Sequence, residues 1–202
     1  EILFTERMAT DSGKTELDYA ISLKMVLELR EIKVSEITGA IIGSVVPPVT
    51  SLMREAIRKV TGQEALVVNV DMNIGLEVLM DNPSSVGTDL IVGAVAGINR
   101  YPVPLILIDM GTATTICVVN ENKQYIGGMI LPGIGVSMNS LTSRTAQLPR
   151  ISLDPPKRLI GKNTVECMQS GALYGNASCI DGMVDRIEEE LGQKATVVAT
   201  GG

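Results

Sequence analysis

Apolar positions along the chain fall into two rhythms. Leu17, Ala20, Ile21, Lys24 and Leu27 repeat at roughly helical spacing behind the Thr10-Asp11-Ser12-Gly13 turn, which predicts a helix from Thr15 to about Arg30. Before it, Glu1 to Met8 reads as a strand. Ile37 to Val46 is an apolar strand stopped by Pro47-Pro48, and these prolines favour a helix start, predicted over Val49 to Val60. Ala65 to Val70 is a further short strand, Met72 to Pro83 is irregular, a helix follows from Ser84 or Ser85 to about Asn99, and Arg100 to Pro104 is a connector. Strands and helices alternating in this way predict a mainly parallel sheet covered by helices.

A different pattern begins at Leu105. Leu105-Ile106-Leu107-Ile108 is a buried strand running into Asp109-Met110-Gly111, and Ile116-Cys117-Val118-Val119 is a second strand behind Thr112-Ala113-Thr114-Thr115. Asn120-Glu121-Asn122 turns the chain into a third strand, Gln124 to Pro132. A helix is predicted from Gly135 to Thr145, an extended, proline-interrupted stretch from Pro149 to Ile160, and a long helical region from Thr164 to Gly192. Small residues in that region (Gly171, Ala172, Gly175, Ala177, Gly182) allow close helix packing, and Ala195 to Ala199 is a last strand ending at Thr200-Gly201-Gly202.

Composition narrows the chemistry. With 202 residues there is room for one large domain or two small ones, and 45% apolar residues supply a substantial core. Aromatics are only 2%, so that core is aliphatic, and the rings that stack on nucleic-acid bases are scarce. A net charge of −6 and a pI near 4.8 also argue against a nucleic-acid partner. No apolar run reaches the ~18 residues of a membrane span. Cys117, Cys167 and Cys179 have no metal-type spacing, and an odd count fits a reduced, cytoplasmic protein. The chain opens at Glu1 within a predicted strand and closes on two glycines, so both ends read as cuts in a longer protein. Histidine is absent, so any general base must be Asp, Glu, Lys, Tyr or Cys.

Against that background the Asp109 turn is the best candidate for chemistry. A glycine lets backbone approach a ligand closely, threonine hydroxyls and amide N–H groups hold phosphate oxygens, and an aspartate at a strand end suits the accompanying cation. The plain alternative is a hairpin whose threonines are good strand formers. Ser12-Gly13-Lys14-Thr15 is similar to the end of a Walker A loop, but Met8 stands where that motif has its first glycine, so the stretch reads as a helix cap.

Three antiparallel strands, a helix and further α/β elements, with an Asp-Gly-Thr turn after the first strand, resemble the half-domain of the actin, sugar kinase and acetate kinase superfamily. A closer resemblance, to type III pantothenate kinases, rests on a series of stretches in the family's order. These are Ser44-Val45-Val46-Pro47-Pro48, Asp81-Asn82-Pro83, Val86-Gly87-Thr88-Asp89, Asp109 to Thr115, Gly127-Gly128, Leu131-Pro132-Gly133-Ile134-Gly135, Arg144-Thr145-Ala146-Gln147-Leu148-Pro149, Gly161-Lys162-Asn163-Thr164-Val165-Glu166, Met168-Gln169-Ser170-Gly171 and Ala199-Thr200-Gly201-Gly202. The resemblance implies an α/β fold of two ribonuclease H-like domains with mixed sheets covered by helices. The first, 1–104, would lack its first strands, and the second, 105–202, would be cut at its C-terminus.

The resemblance also implies a function: ATP-dependent phosphorylation of pantothenate, the first step of coenzyme A synthesis, by a homodimer using Mg²⁺ and K⁺ or NH₄⁺. Asp89 takes the place of the catalytic aspartate, with Gly87, Thr88 and Thr164 on the substrate side and Thr164 reaching across the dimer. Asp109 takes the metal role. Gly111, Thr112, Ala113 and Thr114 form the second phosphate loop, and Gly201 and Gly202 stand at the adenosine motif. Structural alternatives exist for three of these: Asp89 as a helix N-terminal residue, Thr164 as a helix cap, and Gly201-Gly202 as a strand-ending turn.

The chain also departs from the family. Leu90 replaces the arginine after the catalytic aspartate, removing a charge-assisted contact worth ~1.5–3 kcal/mol. Gly93 replaces an asparagine, Met80 a tyrosine, and Ser12 the usual residue after Thr10-Asp11. The family's opening Asp-x-Gly-Asn-Thr phosphate loop does not occur in these residues. Two other functions are therefore expected as alternatives: a degenerate member acting as a regulatory or interaction protein, and a kinase for a different small hydroxy acid.

Overall fold

The structure is a computed structural model and describes residues 2–70, 72 and 74–201. It is a mixed α/β protein that divides into two compact units, Glu1–Asn73 with Ser84–Val92, and Ile74–Pro83 with Gly93–Gly202.

In the first unit, α1 (Glu16–Leu29) starts at Thr15, whose hydroxyl accepts the Asp18 N–H while the Asp18 carboxylate accepts the Thr15 N–H at 2.8 Å. This reciprocal capping box makes Ser12 to Thr15 a cap, as the sequence suggests. Of the predicted stripe on α1, Ala20 is buried, while Leu17 and Ile21 are exposed. Tyr19, Ala20 and Leu23 turn inward against Val49, Leu52, Met53, Ala56 and Val60 of α2 (Pro47–Thr61). Gly62, with φ 70°, ends α2 in the left-handed conformation that glycine adopts freely. β1 (Ala40–Ile42) and β2 (Ala65–Val67) pair in parallel, with α2 as their crossover. Three residues of the predicted 37–46 strand are strand, because β2 offers only three partners. The strand predicted over 1–8 is absent across residues 2–8, where no described segment supplies a ladder. That segment is instead fastened to the end of α1 by an Arg30–Glu6 ion pair and by Arg30 over the Phe4 ring.

The second unit is built on a five-stranded mixed sheet. Its elements are β3 (Glu77–Val78), β4 (Leu105–Met110), β5 (Ala113–Val119), β6 (Gln124–Pro132) and β7 (Thr196–Gly201), in the order β3-β6-β5-β4-β7. β4, β5 and β6 form the predicted antiparallel meander, while β7 runs parallel to β4 and β3 parallel to β6. β3 lies in the stretch expected to be irregular, and two residues are too few to carry a periodic signal. α3 (Thr88–Ile98) begins in the first unit and ends in the second, where Gly97 lies against the side chains of Leu105 and Leu107. A 3-10 turn at Pro83–Ser85 delays its start relative to the predicted Ser84 or Ser85. α4 (Ile134–Arg144) follows β6, and α5 (Thr164–Leu191) precedes β7.

Alternation sorts the sheet's side chains. Ile106, Ile108, Ile116 and Val118 face α5, packing with Ile180, Met183, Val184, Ile187 and Leu191. The core is aliphatic, as composition requires. Among the described residues no helix is long and apolar enough to cross a membrane.

Glu188, near the end of α5, ties that helix to β7: its carboxylate accepts from the Lys194 ammonium and from the Ala195 N–H. The Lys194 hydrogen bond, then the Ala195 N–H, hold the Glu188 carboxyl below its usual 4.5, and the same contact raises Lys194. A lowered folded value means that the contribution is complete above 4.5 and is lost as pH falls through the folded value. Urea unfolding of the wild type and Glu188→Gln should therefore show a stability gap at neutral pH that closes on acidification. A gap independent of pH would contradict this.

Candidate active site

The sheet delivers Asp109 to a crowded corner of the second unit. Ile108 points into the α5 core, so Asp109 faces the other side of the sheet, where it is half-buried. It stands opposite Thr115 on β5 and Thr200 on β7, so two threonines flank one carboxylate across neighbouring strands. The chain then reverses within Gly111 and Thr112, both exposed, and the Gly111 N–H donates to the Ala113 carbonyl at 3.0 Å. Thr114, paired with Met110, is 7% exposed.

Two other backbones close on this turn. The Gly133 N–H donates to the Thr112 carbonyl at 3.0 Å, and a Cβ on Gly133 would stand 2.3 Å from the Gly111 oxygen and 2.5 Å from the Thr112 oxygen. Gly201, with φ 107°, lies so close that its Cβ would be 2.4 Å from the Met110 oxygen. Gly133 is also the N-cap of α4 and offers no side-chain cap. The first N–H groups of α4 thus lack a side-chain acceptor, and the positive end of the helix dipole is hydrogen-bonded onto the turn. A close-packed glycine corner, a helix amide end, threonines and one carboxylate are the components of a phosphate site with an accompanying cation. Gly202 lies outside the described residues.

In the first unit, Gly87, Thr88 and Asp89 form the start of α3 at the C-terminal end of the parallel β1–β2 pair. The Thr88 hydroxyl donates to the Ser44 carbonyl at 2.9 Å, and Asp89, exposed at the second helical position, accepts the Leu90 N–H on Oδ1 at 3.0 Å. In open α/β sheets this strand end is where ligands bind.

Thr164 is the exposed first residue of α5. Its neighbour Asn163 is the N-cap and accepts the Glu166 N–H at 2.9 Å. Thr164 lines a groove with Ser137, Met138 and Leu141 of α4 and Met168 and Gly171 of α5, to which none of residues 109–114 contributes. Within the second unit the structure gathers Asp109, Gly111 to Thr114 and Gly201 at one corner and sets Thr164 on a separate groove, while Gly87 to Asp89 open α3 in the first unit.

Sequence reasoning missed the closing role of Gly133 and the pairing of Thr200 with Asp109. A glycine directly after Pro132 and before a helix was the available signal for the first.

Gly133→Ala should lower unfolding stability by about 1–3 kcal/mol, because backbone must move to admit the methyl group. Gly135, two residues later in α4, has nothing within 4 Å of its Cβ position, so Gly135→Ala should be neutral or stabilising by up to about 1 kcal/mol. Equal responses in urea denaturation would contradict the packing described.

A family model described as type III pantothenate kinase matches residues 1–186. A curated type III pantothenate kinase from Bacillus cytotoxicus is 46% identical over 196 residues, covering 97% of this chain and 75% of the relative. A solved structure from Campylobacter jejuni, described as a conserved Baf family transcriptional activator, aligns with a TM-score of 0.50 over 88% of this chain and 73% of that one. At 19% identity it speaks for the fold alone. The family model and the near-full-length relative together place this chain in the type III pantothenate kinase family.

Proposed function

We propose that this chain is an ATP-dependent pantothenate kinase that forms 4'-phosphopantothenate, the first step of coenzyme A synthesis. The observation that carries this reading is 46% identity to a type III pantothenate kinase across 97% of the chain. The glycine-closed turn at Asp109 supports it chemically, because phosphoryl transfer depends mainly on positioning and charge neutralisation.

In this reading Asp89 receives the proton of the pantothenate hydroxyl as its oxygen forms a bond to the γ-phosphorus and the bond to ADP breaks. A carboxylate is the natural base in a chain without histidine. Gly87, Thr88 and Thr164 form the substrate side. Gly111, Thr112, Ala113 and Thr114 hold phosphate oxygens beside the amide end of α4, and Gly201 and Gly202 border the adenosine. Asp109 serves the cation. No group of three or more His, Cys, Asp or Glu converges among the described residues, so a single carboxylate here fits Mg²⁺ that arrives on the nucleotide's phosphates. Mg²⁺, with K⁺ or NH₄⁺, would neutralise phosphate charge.

The superfamily's two ribonuclease H-like domains, 1–104 and 105–202, complete the proposal. The β6-β5-β4-β7 order, an antiparallel meander followed by a strand parallel to its first, supports the second of them. A homodimer is supported by the apolar side chains exposed on α4 and α5: Val136, Leu141, Val165 and Tyr174. The reduced cysteines favour the cytoplasm.

A second reading has one observation in its favour. Leu90, next to Asp89, cannot make the charge-assisted contact of the family's arginine, which suits a member that does not phosphorylate pantothenate or that takes another hydroxy acid. An ADP-release assay on the full-length protein, with pantothenate and a panel of hydroxy acids, separates the readings. The kinase reading expects turnover with pantothenate and a loss of ~10²-fold or more in Asp89→Asn. Absence of both turnover and calorimetric binding at millimolar pantothenate would support the second reading.

A further inference from the structure

The atoms around Asp89 are arranged asymmetrically. Oδ1 accepts the Leu90 N–H at 3.0 Å and lies 2.4 Å from the point a Cβ on Gly87 would occupy. Any side chain at residue 87 would therefore push this oxygen away. Oδ2 accepts no hydrogen bond from any described residue. One oxygen of the carboxylate is thus held against the first turn of α3, while the other keeps its lone pairs.

Thr88 is held from the opposite direction. Its only O–H donates to the Ser44 carbonyl at 2.9 Å, across 44 residues of sequence. That carbonyl does not sit on a loose loop. The Ser44 hydroxyl accepts the Val46 N–H at 3.1 Å, and the Val46 carbonyl accepts the Thr50 N–H at 3.0 Å, so the turn continues directly into α2. α2 is in turn packed on α1 through Val49 and Ala56. The Ile91 N–H donates to the Gly87 carbonyl at 3.2 Å and makes Gly87 part of the same helix start. The path runs from the α1–α2 core through the Ser44 turn and the Thr88 hydroxyl to the Asp89 backbone.

We infer that Gly87 and Thr88 are positioning residues for Asp89, and that Oδ2 is the atom that receives the acceptor's proton. The inference deepens the kinase reading and rests on it. Thr88 has a single donor hydrogen, already used on Ser44, so it cannot also donate to a substrate. Oδ1 is stabilised by the helix N–H, which leaves Oδ2 as the freer base. The proton of the acceptor hydroxyl passes to Oδ2, the hydroxyl oxygen bonds to the γ-phosphorus of ATP, and the broken P–O bond leaves its electron pair on ADP. The hydroxyl of Thr88 fixes where the carboxylate stands, and the bare Cα of Gly87 leaves room for it.

The test uses the full-length protein with Thr88→Val, Thr88→Ser and Gly87→Ala, reading steady-state kinetics together with hydrogen exchange at the Leu90 amide. Thr88→Val removes the hydroxyl at nearly constant shape. It should lower kcat by ~10–100-fold with KM for pantothenate and ATP held within about twofold, since misplacement by about an ångström costs on that order. Leu90 exchange should accelerate by about tenfold, the scale of one lost hydrogen bond. Thr88→Ser should restore both readings to near the wild-type values, and Gly87→Ala should repeat the loss of kcat. A Thr88→Val enzyme with kcat intact and pantothenate KM raised tenfold would overturn the inference and make Thr88 a substrate contact. If the wild type turns over no pantothenate, the kinase reading fails on its own, and Leu90 exchange then decides the positioning role. Acceleration in Thr88→Val upholds that role, and an unchanged rate overturns it. Should Thr88→Val not fold, Gly87→Ala carries the same two readouts.

Discussion

At the Gly111 turn three backbones meet with no side chain between them, and the second unit is organised by that contact. Gly133 donates to the Thr112 carbonyl, and Gly201 lies against Met110 where a methyl group has no space. The β4–β5 hairpin, the first turn of α4 and the end of β7 are fixed at one point in consequence. Neither glycine acts through a side chain. Each acts by letting peptide groups approach, which brings the uncapped amide end of α4 onto the turn that follows Asp109. An aliphatic sheet–helix core beneath, with Ile106, Ile108 and Ile116 almost wholly buried, gives this corner a rigid base.

Much of this architecture is legible in the sequence, and the parts that are not share a cause. The meander, α2 and α5 are carried by local signals: apolar runs between turns, a proline pair at a helix start, and a long run of helical spacing. The failures are elements whose existence depends on a distant partner. Residues 2–8 have strand-like composition but no described ladder to join, and the predicted ten-residue strand at 37–46 shortens to the length of its neighbour β2. β3 is strand only because β6 pairs with it. On α1 the helix is right but its buried face is rotated, because Tyr19 joins Ala20 against α2 while Leu17 and Ile21 stay outside.

The site divides in the same way. Asp109 and the threonine turn announce themselves in four adjacent residue types, and the family's motifs lead to Asp89. What surrounds these carboxylates is invisible in one dimension. The Ser44 carbonyl that accepts from Thr88, the Thr200 that stands level with Asp109, and the Gly133 that closes the turn all come from remote stretches. The Thr88 hydroxyl, in a motif that reads as a ligand contact, donates to the Ser44 backbone carbonyl. The departures at Met80, Leu90 and Gly93 fall outside the residues of the glycine corner.

In the proposed kinase the glycine-closed turn is a nucleotide phosphate site. Amide NMR of the isotope-labelled full-length protein during titration with ATP and Mg²⁺ tests it most directly. Saturable shifts concentrated at Gly111 to Thr114, at the first amides of α4 and at Gly201 are expected. Saturable binding that leaves these amides unmoved while shifting others would contradict it.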